Sequence, residues 1–519
     1  MPTCNYMKSF TRVKKIHGQD YLYEITPYYD PTTKKIKQKS RYLGKNVNGI
    51  AVKVLSQGAP PKKILSYGEF LPLNKILIDL NLEHTLRELF SEKETWSILA
   101  IAFNHLVHPR AIVHIQSWYE GTVLSDQHPD LPLSSQSLSN LLDSIGNRGM
   151  HLEFSRKMIE NHSTSSMLIY DITSLSSHSE KIPLLEFGYN RDDPDLPQIN
   201  LSIIIDQERG IPVMYDVYPG SIVDVSTLKN TIQKLHAVGV TNHTLILDRG
   251  FFSTSNIEEL TSNKLSFIIS ASNSLKSVKQ AISTIHDTID DPNHLQIYEK
   301  EPLFVMPVRI EIGDRSVDGY AYYDQRREQR ERNSFYKRLN EVIEKLRTID
   351  LKAWMNPYDI FKECAGRYQK YISWSVVDRK FEVSIRKNAV SQHVNKMGKM
   401  VLLYDGNFSW NQCLSLYKSR DVVEKGFSQL KNDLEILPLN VKKESTLKGY
   451  LFVCFIALLI NMRLSKIMVD TNLVRKYSIE GLFTELEKLK LVILPDGRKI
   501  VAESTKRQND ILKTLGLCA

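Results

Sequence analysis

Three carboxylates stand where metal-assisted cleavage of a phosphodiester bond would need them. Asp171 follows the apolar run Met-Leu-Ile-Tyr, Asp248 follows Thr-Leu-Ile-Leu, and Glu424 lies in a segment with helical periodicity. Carboxylate oxygens are the ligands that Mg²⁺ and Mn²⁺ prefer in proteins. Two such ions, about 3.5 to 4 Å apart, need roughly three carboxylates between them. The residue types therefore favour a two-metal site.

The segment around residue 424 predicts one long helix. It begins at Ser409, which forms a capping box with Gln412 three residues later, and no proline interrupts it before Pro438. Its apolar residues share one stripe of a helical wheel, which predicts the face that packs against the core. They are Leu416, Val423, Phe427, Leu430 and Leu434.

Four polar residues of the same segment form a second, narrow stripe. At about 100° per residue they fall within an arc of about 60° beside the apolar stripe. They are Tyr417, Arg420, Glu424 and Lys431. A carboxylate flanked by two cations can hold a metal ion while the cations hold a phosphate. Charged pairs on a solvated helix face are the ordinary alternative. Combination with two further acids favours a site, with Glu424 partly desolvated against a sheet.

A family signature matches this polar stripe. The run Tyr417-x2-Arg420-x3-Glu424-x6-Lys431 resembles, without a gap, the Tyr-Arg-Glu-Lys signature of bacterial and archaeal insertion-sequence transposases of the Asp-Asp-Glu class. The stretch Asp248-Arg249-Gly-Phe resembles the motif around that family's second aspartate. Tyr-Asp171-Ile-Thr resembles the motif around the first. The chain is thereby similar to this family at each of its three acids.

Further stretches resemble the family in the same order, over roughly residues 165 to 465. Between the two aspartates they are Gly210-Ile-Pro-Val and Pro-Gly220-x3-Asp224, although Ser221 stands where many relatives have Asn. The apolar run beginning at Gly449 is similar to the family's helix after the glutamate. The resemblance implies an α/β, ribonuclease H-like catalytic core with an insertion domain between the second aspartate and the glutamate.

The resemblance also implies an activity, a cofactor and partners. It implies a transposase that cuts DNA at the ends of its element and transfers the cut strands to target DNA with two Mg²⁺ (or Mn²⁺). Asp171 would bridge both ions, Asp248 would bind one and Glu424 the other. The DNA-binding residues implied are Tyr417, Arg420, Lys431 and Arg249. The expected partners are terminal inverted repeats, target DNA and a second copy in a homodimer.

Two other functions fit the same acids. Another ribonuclease H-like DNA nuclease would share them without transferring a 3′-hydroxyl end to new DNA. A domesticated or inactive relative would bind DNA without cutting it. The intact acids and the intact polar stripe count against this function, because mutation would be expected to erode them in a chain that no longer cuts DNA. Strand transfer from pre-cut ends separates the first function from a transposase, and metal-independent binding without cleavage would indicate the second.

The patterning along the chain predicts six segments. They are a basic β-rich DNA-binding segment (1–60), a helical DNA-binding domain (64–163), the first part of the core (165–275), an insertion domain (276–400), the second part of the core with the glutamate helix (401–470) and a C-terminal helical tail (471–519). Within the insertion, residues 324–347 predict an amphipathic helix. Its charged face either contacts DNA or is solvated, and the pattern favours the solvated reading.

Charge is concentrated near the N-terminus of a chain whose formal net charge is +9. Residues 1–60 hold eleven Lys or Arg against three acidic residues, which suits phosphate contact, although a solvated basic face would look the same. The five cysteines lack the spacing of a zinc site or disulfide framework. The longest apolar run, 450–460, is too short to span a bilayer. A cytoplasmic, nucleoid-associated protein without a membrane partner is expected.

Overall fold

The computed structural model of the chain describes residues 8–16, 18–31, 33–47, 49–52, 60–162, 167–179, 181–188, 195–222, 224–240, 243–272, 275–434 and 441–517. The fold is mixed α/β. It divides into two compact units. The smaller unit comprises residues 1–67 with 488–504, and the larger comprises residues 68–487 with 505–519.

Strands and helices alternate irregularly along the chain. The strands are β1 (Phe10–Ile16), β2 (Gln19–Asp30), β3 (Lys35–Val47), β4 (Ile50–Val52), β5 (Lys63–Ser66), β6 (Met167–Ser176), β7 (Gln198–Asp206), β8 (Ile211–Pro219), β9 (Thr244–Leu247), β10 (Ser266–Ser270), β11 (Leu295–Tyr298), β12 (Glu301–Ile312), β13 (Arg315–Tyr323), β14 (Ile372–Val377), β15 (Lys380–Ile385), β16 (Lys399–Asp405), β17 (Lys490–Ile493) and β18 (Lys499–Val501). The helices are α1 (Phe70–Asp79), α2 (Leu82–Arg87), α3 (Glu92–Val107), α4 (Ile115–Glu120), α5 (Leu124–Gln127), α6 (Ser135–Arg148), α7 (His151–His162), α8 (Asp224–Ala237), α9 (Thr254–Ser262), α10 (Lys276–Ile285), α11 (Gln325–Thr348), α12 (Pro357–Ala365), α13 (Lys387–Val394), α14 (Trp410–Lys418), α15 (Asp421–Ser428), α16 (Glu444–Asp470), α17 (Ile479–Leu486) and α18 (Lys506–Thr514).

The smaller unit contains two antiparallel sheets. Strands β1 to β4 pair in sequence order, and β2 and β3 form a hairpin that turns after Asp30. The hydroxyl of Thr33 donates to the Asp30 carboxylate at 2.8 Å in that turn. The described part of the basic segment is therefore β-rich, as predicted, with a hairpin flanked by one further strand on each side. The second sheet joins β5, β17 and β18.

The C-terminal segment 471–519 is not wholly helical, although the sequence predicted a helical tail. It contains α17 and α18, but also β17 and β18. The residues of β17 pair with β5, so that Leu491 lies opposite Leu65. A strand this short, whose partner lies hundreds of positions away, leaves no local periodicity that a sequence pattern could show.

A central sheet of nine strands organises the larger unit, in the order β11-β12-β13-β16-β10-β9-β6-β7-β8. Strands β6, β7 and β8 are antiparallel neighbours, and β9 and β10 run parallel to β6. The first part of the core thus runs as three antiparallel strands, the helix α8 and two parallel strands. Every residue of β7 is buried, as expected for a strand covered on both faces. The arrangement is consistent with a ribonuclease H-like core.

The segment predicted as a separate insertion domain, 276–400, divides into two parts. Its strands β11 to β13 extend the central sheet, because β13 pairs with β16 over residues 318–323. The hydroxyl of Tyr322 also donates to the backbone carbonyl of Trp410 at 2.8 Å. Only residues 325–397, called here the inserted subdomain, have a core of their own. Long-range strand pairing of this kind is invisible to local sequence patterns.

The amphipathic helix predicted at 324–347 is confirmed as α11. Its N-cap is Asp324, whose carboxylate accepts a hydrogen bond from the backbone N–H of Arg327. One stripe of its residues is buried in the core of the inserted subdomain. Those residues are Phe335, Leu339, Ile343 and Leu346. The opposite face of the helix is exposed and strongly charged.

Helices α1 to α7 confirm the predicted helical segment, and α16 packs against α1, α3 and α6. Gly449 permits a close crossing with α6, because a Cβ there would lie 1.9 Å from the carbonyl oxygen of Leu142. Among the described residues, α16 has the length and hydropathy of a membrane span, and α3 with the bent segment 112–120 would make a second. The core helix of a globular protein has the same properties, and 72% of the apolar window of α16 is buried.

Candidate active site

Asp171 and Asp248 lie on neighbouring parallel strands of the central sheet. Tyr170 of β6 pairs with Leu247 of β9, and each aspartate is the next residue after its paired neighbour. The two side chains therefore emerge where the β6–β9 pairing stops. Asp171 is half-buried, and its Oδ1 accepts a hydrogen bond from the backbone N–H of Ile172 at 2.8 Å. The sheet thus brings these two acids together.

Strand β6 continues past Asp171, although the apolar run in the sequence stops there and predicted the end of the strand. It continues to Ser176, because this half of the strand still pairs with β7 on its other side, starting with Asp171 opposite Ile203. Asp171 thus occupies the middle of a strand that has lost one neighbour. Asp248 does follow the end of its strand, as predicted.

The single helix predicted from Ser409 is wrong, although its capping box is confirmed. The structure has α14, then α15, then a π-helical turn (Gln429–Asp433). Residues 435–440, which include Pro438, lie outside the described part of the chain. Between the helices, the N–H of Val422 donates to the carbonyl of Ser419 at 3.1 Å, and the N–H of Val423 donates to the carbonyl of Arg420 at 2.9 Å. These i→i+3 bonds form a tighter turn than an α-helix.

Arg420 and Glu424 differ strongly in exposure. Arg420 is 8% exposed, whereas the side chain of Glu424 is 66% exposed, so the expected desolvation of Glu424 is wrong. A constant step of about 100° per residue does not apply across such a turn or across the π-helical turn. The apolar stripe is confirmed, since its members are buried or pack against the core. They are Leu416, Val423, Phe427, Leu430 and Leu434.

Asp248 is the centre of a contact network with α14 and α15. Arg420 Nη1 lies 2.9 Å from Asp248 Oδ1, and the Tyr417 hydroxyl donates to the same oxygen at 3.2 Å. The guanidinium carbon of Arg420 lies 4.9 Å from the centre of the Tyr417 ring. Its Nη2 lies 3.6 Å from Glu424 Oε1. Arg420 therefore separates the carboxylates of Asp248 and Glu424.

Tyr417 has a second polar neighbour that sequence reasoning missed. Burial raises the pKa of the Tyr417 phenol, and with the Asp248 carboxylate it outweighs the lowering by Arg420, so the hydroxyl keeps its proton and acts as a donor. The hydroxyl of Ser270 bonds to this phenol. Ser270 is the last residue of β10, the strand beside β9. Its place at the end of a strand next to the one that leads to Asp248 was the available signal.

A glycine lets the glutamate helix approach the sheet. A Cβ on Gly426 of α15 would lie 3.0 Å from the sulfur of Met462 and 3.7 Å from the Cδ1 of Ile205 on β7. Both distances reflect close packing of α15 between the sheet and α16. Glu424 lies two residues earlier on α15, and α15 packs against β6, the strand that holds Asp171.

The remaining predicted residues lie around this network. Arg249 begins the short 3-10 helix Arg249–Phe251 and is exposed; it takes no part in the contacts of Asp248 with α14 and α15. Lys431 lies half-buried on the π-helical turn, about two helical turns after Glu424. The side chain of Asp224 is outside the part of the chain that the structure describes. Ser221 bonds to the carboxylate of Glu186.

The donor atoms suit a hard divalent cation, although they do not yet converge. Among the described residues, no three Asp, Glu, His or Cys side chains lie close enough together to hold a metal ion. Asp171 and Asp248 follow paired residues of neighbouring strands, and the guanidinium of Arg420 lies between Asp248 and Glu424. The Nε of Arg420 is buried without a hydrogen-bond partner among the described residues. Buried polar atoms are normally paired, so a rearrangement that gives this Nε a hydrogen-bond partner would be favourable.

Known proteins show similarity to this chain at two levels. A family model described as the transposase DDE domain matches residues 162–460, more than half of the chain. No curated protein sequence matches. A piggyBac transposase synaptic complex with hairpin DNA is similar in structure, with 10% identity, a TM-score of 0.35, and coverage of 83% of this chain and 77% of that chain. For a Drosophila P element transposase strand transfer complex the values are 11%, 0.19, 75% and 87%. These two likenesses are too weak to carry an argument.

Proposed function

The chain belongs to the transposase DDE domain family, and from that premise we propose that Asp171, Asp248 and Glu424 form its catalytic centre. It is an enzyme that cleaves DNA and transfers the cut strands. Transposases of this class generally use divalent metal ions. In our proposal these three residues hold two Mg²⁺ or Mn²⁺. The proposal also places the chain in the subgroup with the Tyr-Arg-Glu-Lys signature.

The adjacency of Asp171 and Asp248 carries this proposal. Both aspartates follow the last pair of the β6–β9 pairing, and their carboxylates would repel one another at close range unless a cation lay between or beside them. Arg420 supplies one positive charge to Asp248 at 2.9 Å. Bound divalent ions would supply more, lowering the pKa of an attacking water or 3′-hydroxyl and stabilising the charge that develops on the phosphate.

Arg420 and Tyr417 have a positioning role in this proposal. If Asp248 held a cation, Arg420 would be released from that carboxylate, and its guanidinium would be free to face a DNA phosphate, for which a planar fork of donors is suited. The protonated hydroxyl of Tyr417 stays a donor beside the same edge. Lys431 and the exposed Arg249 add phosphate contacts on either side. Glu424, whose Oε1 lies 3.6 Å from Arg420 Nη2, would then also be free to approach the two aspartates.

The DNA substrates in this proposal are the terminal inverted repeats of the element and a target duplex. A homodimer would hold two ends together, so that both are cut and joined at one target. In the cell the protein would act in the cytoplasm, on the nucleoid. Inverted repeats flanking the gene would supply the sequence of the duplex for an assay.

Carboxamide variants test the catalytic centre. Asp171→Asn, Asp248→Asn and Glu424→Gln should each lower cleavage of an end duplex by about a thousandfold or more, while binding of that duplex is kept. Asp421→Asn is the matched control, because Asp421 is an exposed acid one turn before Glu424. Cleavage by any of the three variants at the rate of the control would refute the assignment. Cleavage without strand transfer would indicate a nuclease, and binding without cleavage a DNA-binding relative.

A further inference from the structure

A groove in the inserted subdomain is lined by cations that have no acidic partner. It has a volume of about 540 Å³ and lies between α11, the 3-10 helix Gly366–Tyr371 and α13. We call it the α11 groove. Its exposed cations are Arg330, Arg338, Arg367 and Lys370. Within the described residues, none of these four side chains forms an ion pair.

Other arginines of α11 are neutralised within the helix. Arg332 lies 2.8 Å from Glu328, and Arg347 lies 2.8 Å from Glu344. Glu331 does line the groove, but its carboxylate is engaged by a neighbouring arginine and by a backbone N–H. Acids are therefore available on this helix and pair with cations outside the groove. The positive charge of the groove is therefore not neutralised by acids of this helix.

Aromatic rings form the floor beneath these cations. Phe335 packs against Tyr368 and Tyr371, with ring centres 5.9 and 5.0 Å away. The guanidinium of Arg367 lies 5.5 Å from the Tyr368 ring centre, and the ammonium of Lys370 lies 5.0 Å from that of Tyr371. Such contacts hold a cation in place without neutralising its charge. The groove thus presents positioned positive charges.

Positive side chains near the groove disfavour protonation of their neighbours. Burial lowers the pKa of His393, and the charges of Lys370 and Lys396 lower it further. Burial likewise lowers the pKa of Lys396, with Lys279 and Lys370 adding to the effect. Each of these groups is therefore harder to protonate because its neighbours are positive. A polyanion laid along these residues would relieve that repulsion.

We propose that the α11 groove binds the phosphate backbone of target DNA. A row of unpaired cations on a rigid aromatic floor fits a phosphate chain, because each cation can replace a condensed counterion. Contacts to phosphates carry no sequence information. They suit the DNA that receives the element, which has to be accepted at many sequences. This inference rests on the proposed transposase function.

Two matched double variants test whether the groove binds DNA. Arg338→Gln with Arg367→Gln removes two groove cations, and Arg332→Gln with Arg347→Gln removes two paired cations of the same subdomain. Binding of a random-sequence duplex is followed by fluorescence anisotropy at several salt concentrations. The groove variant should bind several-fold more weakly, and the slope of log affinity against log salt should fall by about two. Equal behaviour of the two double variants would overturn the proposal. Thermal melting confirms that both are folded.

Strand transfer decides which DNA the groove holds. Pre-cut duplexes from the inverted repeats are offered together with a plasmid target. The groove variant should lose more of its strand transfer than of its end cleavage, relative to the paired-cation variant. Equal losses in the two reactions would place element DNA in the groove and overturn the assignment to the target. If instead Asp248→Asn cuts normally, the proposed catalytic centre fails, while the salt dependence of random-duplex binding still decides on the groove.

Discussion

The two aspartates and the glutamate of the candidate centre are held by different kinds of structure. Asp171 and Asp248 are fixed by adjacent strands in the middle of a nine-stranded sheet. Glu424 belongs to a short helix between a tight turn and a π-helical turn, and its side chain is 66% exposed. The sheet therefore fixes the positions of the two aspartates, which form one half of the site. Glu424, the other half, is held less firmly, and Arg420 contacts both Asp248 and Glu424.

Metal binding should separate the two halves most clearly. If the adjacent aspartates alone hold a first ion, Mg²⁺ at about a hundredfold above its Kd stabilises the protein by about 3 kcal/mol. Asp171→Asn or Asp248→Asn should abolish this rise, measured by thermal unfolding with and without Mg²⁺, and Glu424→Gln should only reduce it. Asp421→Asn serves as the control. Complete loss of the rise in Glu424→Gln, with retention in either aspartate variant, would break the comparison.

Removing Arg420 should destabilise the contact between the halves. Arg420→Ala takes a buried guanidinium from the Asp248 carboxylate, and hydrogen bonds to charged groups contribute about 2 kcal/mol. Lys466→Ala is the comparison, since the exposed i,i+4 pair of Lys466 with Asp470 should contribute about 0.5 kcal/mol or less. Urea denaturation measures both free energies of unfolding. Equal losses would show that Arg420 does not join the helix to the sheet.

A smaller effect concerns the far end of the adjustable half. His105 of α3 donates to the backbone carbonyl of Leu434, just after the π-helical turn, and burial lowers the pKa of His105 from 6.5 to about 4. The unfolded histidine binds a proton below pH 6.5 and the folded one does not, so stability falls as the pH drops from 6.5 towards 4. The expected loss between pH 7 and pH 6 is about 1 kcal/mol or less.

The histidine prediction is checked by measuring the free energy of unfolding against pH. His105→Asn should flatten the fall in stability below pH 6.5. His84→Asn, which removes an exposed histidine of α2, is the control. A curve for His105→Asn that is as steep as that of the control would show that His105 does not anchor this segment through a neutral ring.

Much of the fold could be predicted from local pattern. Each of β6, β7 and β9 is an apolar run with turn residues at its ends, and α11 keeps a helical stripe over its whole length. What could not be predicted depends on partners distant in sequence. Strand β13 joins the core sheet through β16, and β17 joins β5. No periodicity within a strand identifies such a neighbour.

The geometry around the candidate site residues was only partly predictable. The position of Asp248 after a strand followed from its apolar run, whereas the contact of Tyr417 and Arg420 with Asp248 was not predicted. The tight turn at Ser419 could not be read from a sequence without proline or glycine at that point. A uniform helix would place Arg420 nearer the apolar stripe than Glu424, and Arg420 is indeed buried, but the exposure of Glu424 is greater than its place beside that stripe predicts.

Iron-mediated cleavage of the polypeptide tests the central claim most directly. Fe²⁺ replaces Mg²⁺ in the full chain bound to duplex DNA, and peroxide with ascorbate then generates hydroxyl radicals that cut the backbone close to the metal. If Asp171, Asp248 and Glu424 hold the ions together, the chain should be cut near all three positions, and excess Mg²⁺ should suppress the cuts. Cuts near residues 171 and 248 with none near 424 would contradict a three-acid centre.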